Sequence, residues 1–337
     1  MQSFKPAKAS SANIAKSVFN LIKDDMKLVE AEFENQTKSN IQVVNYLGEY
    51  LRASGGKRLR PALLILAYRA LGNTDVNENT IRVATVMEML HTATLVHDDI
   101  IDNAVTRRNQ ASINARFGNQ TAVLMGDWLY MSAFETSLRE RSLEILDILT
   151  ELTRKMTEGE LLQLTMLGRT DISEAEYFDI LQRKTAFLFS ACCEIGAILG
   201  GATDEQKKAF REYGRNLGIA FQLADDLLDF TADKKVIGKA SGTDLLEGKL
   251  TLPLILLSDA DPAVSQELQS IMREGVYPNG SRADLLNKLK THGILEETRA
   301  VAYDFCGSAK KNLEVLPKTE YRLALEEIPT YMIERNK

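Results

Sequence analysis

The chain has 337 residues, 45% hydrophobic and 26% charged, which is ordinary usage for a folded protein with a sizeable core. Its 41 basic and 47 acidic residues give a net charge of −6, which argues against a broad nucleic-acid footprint and means that an anionic substrate needs local help. Three cysteines, Cys192, Cys193 and Cys306, are odd in number with two adjacent, unlike a disulfide framework, so a reducing cytoplasm is the expected compartment.

The opening stretch MQSFKPAKASSANIAKSVFN holds no continuous apolar run and no arginine precedes Arg52, so neither a secretory nor a mitochondrial leader is expected, and residues 1–10 are expected to fray. Helical periodicity then dominates, with apolar residues at mixed three- and four-residue spacing over 11–35, 40–53, 62–71, 78–101, 119–138, 142–166, 174–199 and 204–230. Gly72-Asn73 and Gly200-Gly201 read as helix stops, and Ser173 and Asp204 as N-caps. No segment alternates like a strand. The pattern breaks over Val105 to Phe117, and again over 231–251, a lysine- and glycine-bearing loop long enough to be a lid or binding loop. A helix follows at Pro253, and amphipathic helix returns from about 282. The longest apolar runs, such as Leu252 to Leu257, fall far short of the roughly 20 residues that span a bilayer, so no transmembrane segment is expected. The expected fold is all-α, a single large helical bundle formed by one domain over 1–337.

Two of these helices end in the same acidic cluster, Asp98-Asp99-Ile100-Ile101-Asp102 and Asp225-Asp226-Leu227-Leu228-Asp229. On a helix the outer aspartates of each set stack on one face roughly 5–6 Å apart, where like charges repel unless something positive sits between them. A hard divalent cation suits, because Mg2+ takes one or two carboxylates and fills its shell with water and phosphate oxygens. Both clusters follow several apolar turns, and buried carboxylates left unpaired are too costly to keep. The bland alternative, a solvated acidic helix end, is hard to invoke twice. The run Gly55-Gly56-Lys57-Arg58-Leu59-Arg60-Pro61 adds an anion site: flexible backbone, three cations and a proline fit for a helix start. Arg107-Arg108 tells a similar story.

In order and approximate spacing, GGKRLRP, HTATLVHDDIID with its following arginine pair, GDWLY, Lys184-Thr185, FQLADDLLD and GTDLLEGKLTLP resemble the trans-isoprenyl diphosphate synthases, over residues 40 to 260 and nearest the long-chain polyprenyl branch. The resemblance implies an all-helical bundle around a central active-site cavity, substrates isopentenyl diphosphate and an allylic diphosphate, Mg2+ as cofactor, and a homodimer. By the same resemblance Asp98, Asp102 and Asp225 hold Mg2+, with Asp99, Asp226 and Asp229 completing the inner and outer shells. Lys57, Arg60, His91 and Arg108 match the isopentenyl diphosphate site; Arg107, Lys184, Lys239 and Lys249 match positions that grip the allylic diphosphate; Thr185 and Gln222 match groups whose oxygens face the developing carbocation. His97 reads as a structural hydrogen-bonding residue, and the cysteine pair as core. Two departures stand out: Asn109-Gln110-Ala111-Ser112, where the family commonly has glycine and proline, and Asn103 in place of a frequent acid.

Chain length follows from the same likeness. The residue five before the first motif aspartate faces the growing tail, and here it is Ala93, beside the modest Thr94, where short-chain enzymes tend to place an aromatic. Phe134, Thr136 and Leu138 on the next helix are candidates for the tunnel floor, and the expected product is about C30 to C50. Alternatives remain a shorter-chain farnesyl or geranylgeranyl synthase, a terpene cyclase or squalene-type synthase, which lacks a reason for GGKRLRP, and a non-catalytic partner subunit, which would be expected to lose its aspartates.

Overall fold

The computed structural model describes residues 11–108, 110–231 and 242–334. In order these form α1 (Ser11–Leu21), α2 (Lys23–Gln36), α3 (Gln42–Ala53), α4 (Leu59–Ala70) and α5 (Glu78–Ile101), then two-residue strands β1 (Thr106–Arg107) and β2 (Gln110–Ala111) paired antiparallel with Thr106 opposite Ala111. They continue as α6 (Ile113–Phe117), α7 (Asn119–Leu138), α8 (Leu143–Met166), α9 (Glu174–Leu181), a π-helical turn (Gln182–Ala186), α10 (Phe187–Leu199) and α11 (Asp204–Thr231). After the undescribed stretch come α12 (Thr243–Leu246), α13 (Leu252–Ala260), α14 (Val264–Glu274), α15 (Ser281–Thr291), α16 (Ile294–Asn312) and α17 (Glu320–Glu334).

A helix that is apolar all round belongs inside. That is where α4 and α10 lie, with Leu63 to Ala67 and Cys192 to Ala197 at the centre of the largest apolar cluster. α10 runs between α4 and α11, α5 packs along α7, and α11 packs along α16. A second cluster fills the space between α9, α11 and α13 to α16, with Leu223, Leu254, Leu268 and Leu289 buried in it. The two helices that carry the acidic motifs are therefore central, and each brings its aspartates to one end of the bundle. Asn77 caps α5, its side chain accepting from Thr80 N–H at 2.8 Å, so the 24-residue helix starts where the sequence puts it.

Three local expectations are corrected. The stretch expected as one helix over 11–35 is broken at Ile22, whose backbone leaves the helical region (φ −119°) and whose side chain is buried; the break lets α1 pack on α17 while α2 packs on α5. Asp204 is the first helical residue and not the cap: Thr203 Oγ1 accepts from Gln206 N–H (3.3 Å) while the Gln206 side chain accepts from Thr203 N–H (3.0 Å), a reciprocal capping box. The expected helix over 174–199 widens into the π turn at Gln182–Ala186. Ser173 does cap α9, in a capping box with Glu176. The short hairpin within 105–117 carries too few residues per strand to leave an alternating pattern. Asn103 sits at φ +51°, in the left-handed region that asparagine tolerates.

Gly126 of the GDWLY stretch shows how closely α5 and α7 approach. A Cβ there would overlap the His97 imidazole, which lies against the α7 backbone, its Nε2 3.2 Å from the Val123 carbonyl, and stacks on Tyr130 with centroids 5.8 Å apart. His97 is thus a packing residue of this helix pair, as its hydrogen bond indicates.

Candidate active site

The last turn of α5 presents Asp98, Asp99 and Asp102, and α11 presents Asp225, Asp226 and Asp229 near its end. Asp99 and Asp226 are buried, Asp98, Asp225 and Asp229 half-buried, and Asp102 exposed at the helix end. Lysines from two other elements stand between the motifs. Lys249 Nζ, just after α12, donates to Asp102 at 3.3 Å and to Glu247 at 2.9 Å, and Lys184 Nζ donates to Glu160 (2.9 Å) and Gln163 (2.6 Å) on α8. Both lysines line one cavity of about 190 Å³ together with Asp226, Gln222 and Thr185, and Lys249 ties Asp102 of the first motif to its wall.

Negative charge exceeds positive charge there. Burial pushes the Asp98 carboxyl up to about 7, Glu160 across the gap adds to the rise, and Lys184 only partly offsets it. Asp226 is likewise pushed up to about 7, first by burial and then by Asp244, against the pull of its hydrogen bonds from Tyr177 and Gln222. Asp229 accepts from the N–H groups of Thr243 (3.1 Å) and Asp244 (3.4 Å) and so tethers α12 to the second motif. This donor set fits a hard divalent cation: oxygen ligands, surplus negative charge and a face open to the cavity. Among the described residues no three His, Cys, Asp or Glu side chains converge on one point, so such a cation would take one or two carboxylates and complete its shell with water or substrate oxygens.

The π turn carries Lys184 and Thr185. An extra residue in one turn is a frequent device at functional sites, and here Ala186 packs onto Gly218 of α11, where a Cβ would collide with the Ala186 backbone. The close approach brings Thr185 Oγ1 within 3.1 Å of Gln222 Oε1, Gln222 Nε2 within 2.9 Å of Asp226 Oδ1, and the buried Tyr177 hydroxyl within 2.5 Å of Asp226 Oδ2.

A basic pole faces this acidic one. Arg58, at φ +49° before α4, donates to Glu30 (2.5 Å) and to the buried Glu88 of α5 (2.9 Å). Arg60 lies over the rings of Phe189 (5.0 Å) and Phe221 (5.9 Å), and its Nε is buried without a hydrogen bond. Arg108 donates to the Gly55 carbonyl, joining the two basic sequence runs, and Arg107 Nε donates to Asp99 at 2.8 Å. Burial, reinforced by Arg60 and Arg108, pushes the His91 pKa well down and keeps the ring neutral at pH 7. Lys57 is exposed on the loop before α4. Lys239 lies outside the described residues.

The residues expected along the tail's path are only partly brought together. Ala93 is buried against Met125 and Leu129 of α7, while Thr94 is half-buried with its hydroxyl on the His91 carbonyl (2.7 Å). Phe134 packs at the edge of the main core, and Thr136 donates to Gln36 of α2 at 2.8 Å. Leu138 is 50% exposed and forms no interior floor, because it continues the outward stripe of Leu124 and Met131, one heptad apart on α7. Sequence reasoning missed four residues that shape the site: Glu88, Glu160, Gln163 and Tyr177. Glu88, an acid between Met87 and Met89, carried a readable signal, since a charge inside an apolar helix needs a partner; Tyr177 carried none.

The acidic and basic poles of this helical bundle suit a polyanionic substrate accompanied by a divalent cation. Residues 41–288 match the sequence family described as polyprenyl synthetase. The octaprenyl diphosphate synthase of Escherichia coli (strain K12) is 40% identical over 320 residues, 94% of this chain and 98% of that protein. A polyprenyl synthase from Caulobacter crescentus CB15, solved with calcium and isoprenyl diphosphate, superposes with a TM-score of 0.90 at 34% identity, covering 98% of this chain and all of that one. A decaprenyl diphosphate synthase from Rhodobacter capsulatus gives 0.90 and 34%, over 96% and 99% of the chains. The chain belongs to the polyprenyl synthetase family and is a prenyltransferase of its long-chain type. No helix among the described residues is long and apolar enough to cross a membrane.

Raised carboxyl pKa values have a sign in stability. Asp98 and Asp226 bind protons more tightly folded than unfolded, so their contribution is fully present below pH 4 and is lost as pH rises through about 7. Melting temperatures of metal-free protein are expected to fall between pH 5 and 8, and Asp98→Asn and Asp226→Asn each to flatten that fall; thermal melts across the range check this.

Proposed function

We propose that the whole chain, as one domain, is a Mg2+-dependent synthase of all-trans polyprenyl diphosphates that extends an allylic diphosphate with isopentenyl diphosphate to about C30–C50, a length assigned by analogy within the fold family. The observation that carries this reading is the pairing of an acidic and a basic pole in one bundle: six aspartates with Lys184 and Lys249 at one, and Arg58, Arg60, Arg107 and Arg108 around His91 at the other. Each pole suits one diphosphate.

Asp98, Asp102 and Asp225 are the residues proposed to hold Mg2+, which, when bound, neutralises the diphosphate leaving group. Lys184 and Lys249 exchange their carboxylate partners for phosphate oxygens, with Arg107 and Lys239 completing the grip. Lys57, Arg60, His91 and Arg108 hold isopentenyl diphosphate, and a neutral His91 donates one hydrogen bond without adding charge. Arg60 is poised for this, with an unsatisfied Nε and aromatic rings that keep its guanidinium in place. The oxygens of Thr185 and Gln222 face the allylic cation as its C–O bond breaks. The alkene attacks, a C–C bond forms, and the departing pyrophosphate accepts the proton lost from the new chain. Asp99 works by orienting Arg107, and Asp229 by tethering α12. Apolar walls keep out water that would quench the cation.

The small Ala93 supports a long product, as does the likeness to the octaprenyl diphosphate synthase of Escherichia coli. The stripe of exposed Leu124, Met131 and Leu138 on α7 supports a homodimer closed across this helix. Cys192, Cys193 and Cys306, all free and buried, suit a reducing cytoplasm.

Purified protein given isopentenyl diphosphate, an allylic primer and Mg2+ is expected to yield a polyprenyl diphosphate of that size, and none with EDTA. Asp98→Ala and Asp225→Ala are expected to lower turnover by orders of magnitude with helix content unchanged; wild-type rates in both remove the aspartates from the chemistry. Ala93→Phe is expected to shorten the product by several isoprene units, read by chromatography of the dephosphorylated lipid. In sedimentation, wild type is expected as a dimer and Leu124→Glu/Met131→Glu as a monomer.

A further inference from the structure

Gln222 can serve a developing cation only if its amide presents the carbonyl end. Rotated by half a turn about its terminal bond, the same side chain would present an NH2 group with partial positive charge to that cation. Isolated amides make no such choice; the partners decide.

The partners here are unequal. Gln222 Nε2 donates to Asp226 Oδ1 at 2.9 Å, and its Oε1 accepts from Thr185 Oγ1 at 3.1 Å on the cavity side. An ionised Asp226 offers acceptors alone, and the hydrogen bonds from Tyr177 and Gln222 favour that form, so the amide nitrogen faces Asp226 and the oxygen faces Thr185 and the cavity. Asp226 would be free to turn away, were its other oxygen not fixed by the Tyr177 hydroxyl at 2.5 Å. Tyr177 is buried, its ring packs edge-on against Phe178 at 5.3 Å, and the Ser173–Glu176 capping box fixes the start of its helix. All four side chains border the same cavity.

We infer that Tyr177 is a positioning residue for prenyl transfer, acting through Asp226 to hold the Gln222 amide with its oxygen towards the reacting carbon. This rests on the proposed reading of the cavity as the site where the allylic diphosphate ionises. The Tyr177 hydroxyl is taken up by Asp226, so its role is to position. Its effect belongs to the ionisation step and not to binding, since an amide of either orientation fills the same volume.

The test is the single-turnover rate of condensation on enzyme preloaded with an allylic diphosphate, which separates chemistry from product release. Tyr177→Phe is expected to lower that rate about tenfold, less than the roughly 100- to 1,000-fold lost when a preorganised donor is removed outright, because the amide itself stays, while KM for both substrates and the Mg2+ requirement stay within about twofold of wild type. Gln222→Leu should lower the rate as well, and Tyr177→Phe added to Gln222→Leu should lower it no further, because the tyrosine acts only through the amide. Asp226→Asn, which keeps the phenol and offers Gln222 a donor as readily as an acceptor, covers the case in which Tyr177→Phe does not fold, and should lose at least as much rate. Losses that multiply in the double variant, an unchanged rate in Tyr177→Phe, or a shift in Mg2+ requirement in place of rate each overturn the relay. A wild-type rate in Gln222→Leu overturns the reading of the cavity itself.

Discussion

Carboxylates crowded with further acids inside a bundle are the constraint on which the remainder of this structure depends. Burial leaves Asp98 and Asp226 poorly screened, and Glu160 and Asp244 add to the strain. The chain supplies Lys184 and Lys249 in part compensation, each already shared with a glutamate. A fold that only needed stability would replace such a cluster with apolar residues. Keeping it leaves an electrostatic deficit that a divalent cation and a polyanionic substrate can fill, and the long central helices α5 and α11 are what hold the deficit in place before either arrives.

The opposite pole is built by the inverse rule. Arg58, Arg60 and Arg108 gather around a single buried acid, Glu88, and burial disfavours the charge on Arg60 and Arg108. Glu88 uses one oxygen for Arg58 and leaves the other without a hydrogen bond. Glu88 and the more exposed Glu30 cannot balance three guanidinium groups, so this end carries surplus positive charge in a place where an anion would be strongly held. His91, one turn along α5 from Glu88, stays neutral because those same cations oppose its protonation. Both poles share α5: its acids at residues 98–102 mark its end and Glu88 with His91 lie about two to three turns before them, which is why a single helix carries so much of the site.

What the sequence made legible was the part governed by spacing. Aspartates four apart on apolar helices, capping residues such as Ser173, and a basic run before Pro61 each follow from local geometry, and the elements they mark lie where expected. Features settled by tertiary contact were not legible. Ile22 breaks a helix because α17 and α5 lie in different directions, and nothing in residues 11–35 records where those partners are. Thr203 caps α11 through a side chain two positions beyond the visible glycine pair. Leu138 looked like a tunnel floor from its place on α7, yet a heptad shared with Leu124 and Met131 turns it outward. Tyr177 lies 49 residues from the aspartate it holds.

The π turn joins these two levels. A regular helix through 174–199 would carry its buried line from Tyr177 and Leu181 on to Lys184 and then Leu188, driving a lysine into the apolar interface with α11. The wide turn instead moves the packing position from Leu181 to Ala186, five residues on, where a residue without a long side chain can lie against Gly218. Lys184 and Thr185 then bulge from the helix onto the cavity wall, within reach of Glu160, Gln163 and Gln222. A helical interior is normally the wrong place for a cation and a hydroxyl, and a single inserted residue makes it the right one. The same insertion sets the height of Thr185 against Gln222, so the geometry of the amide and the reach of the lysine are fixed by one local departure from α-helical hydrogen bonding.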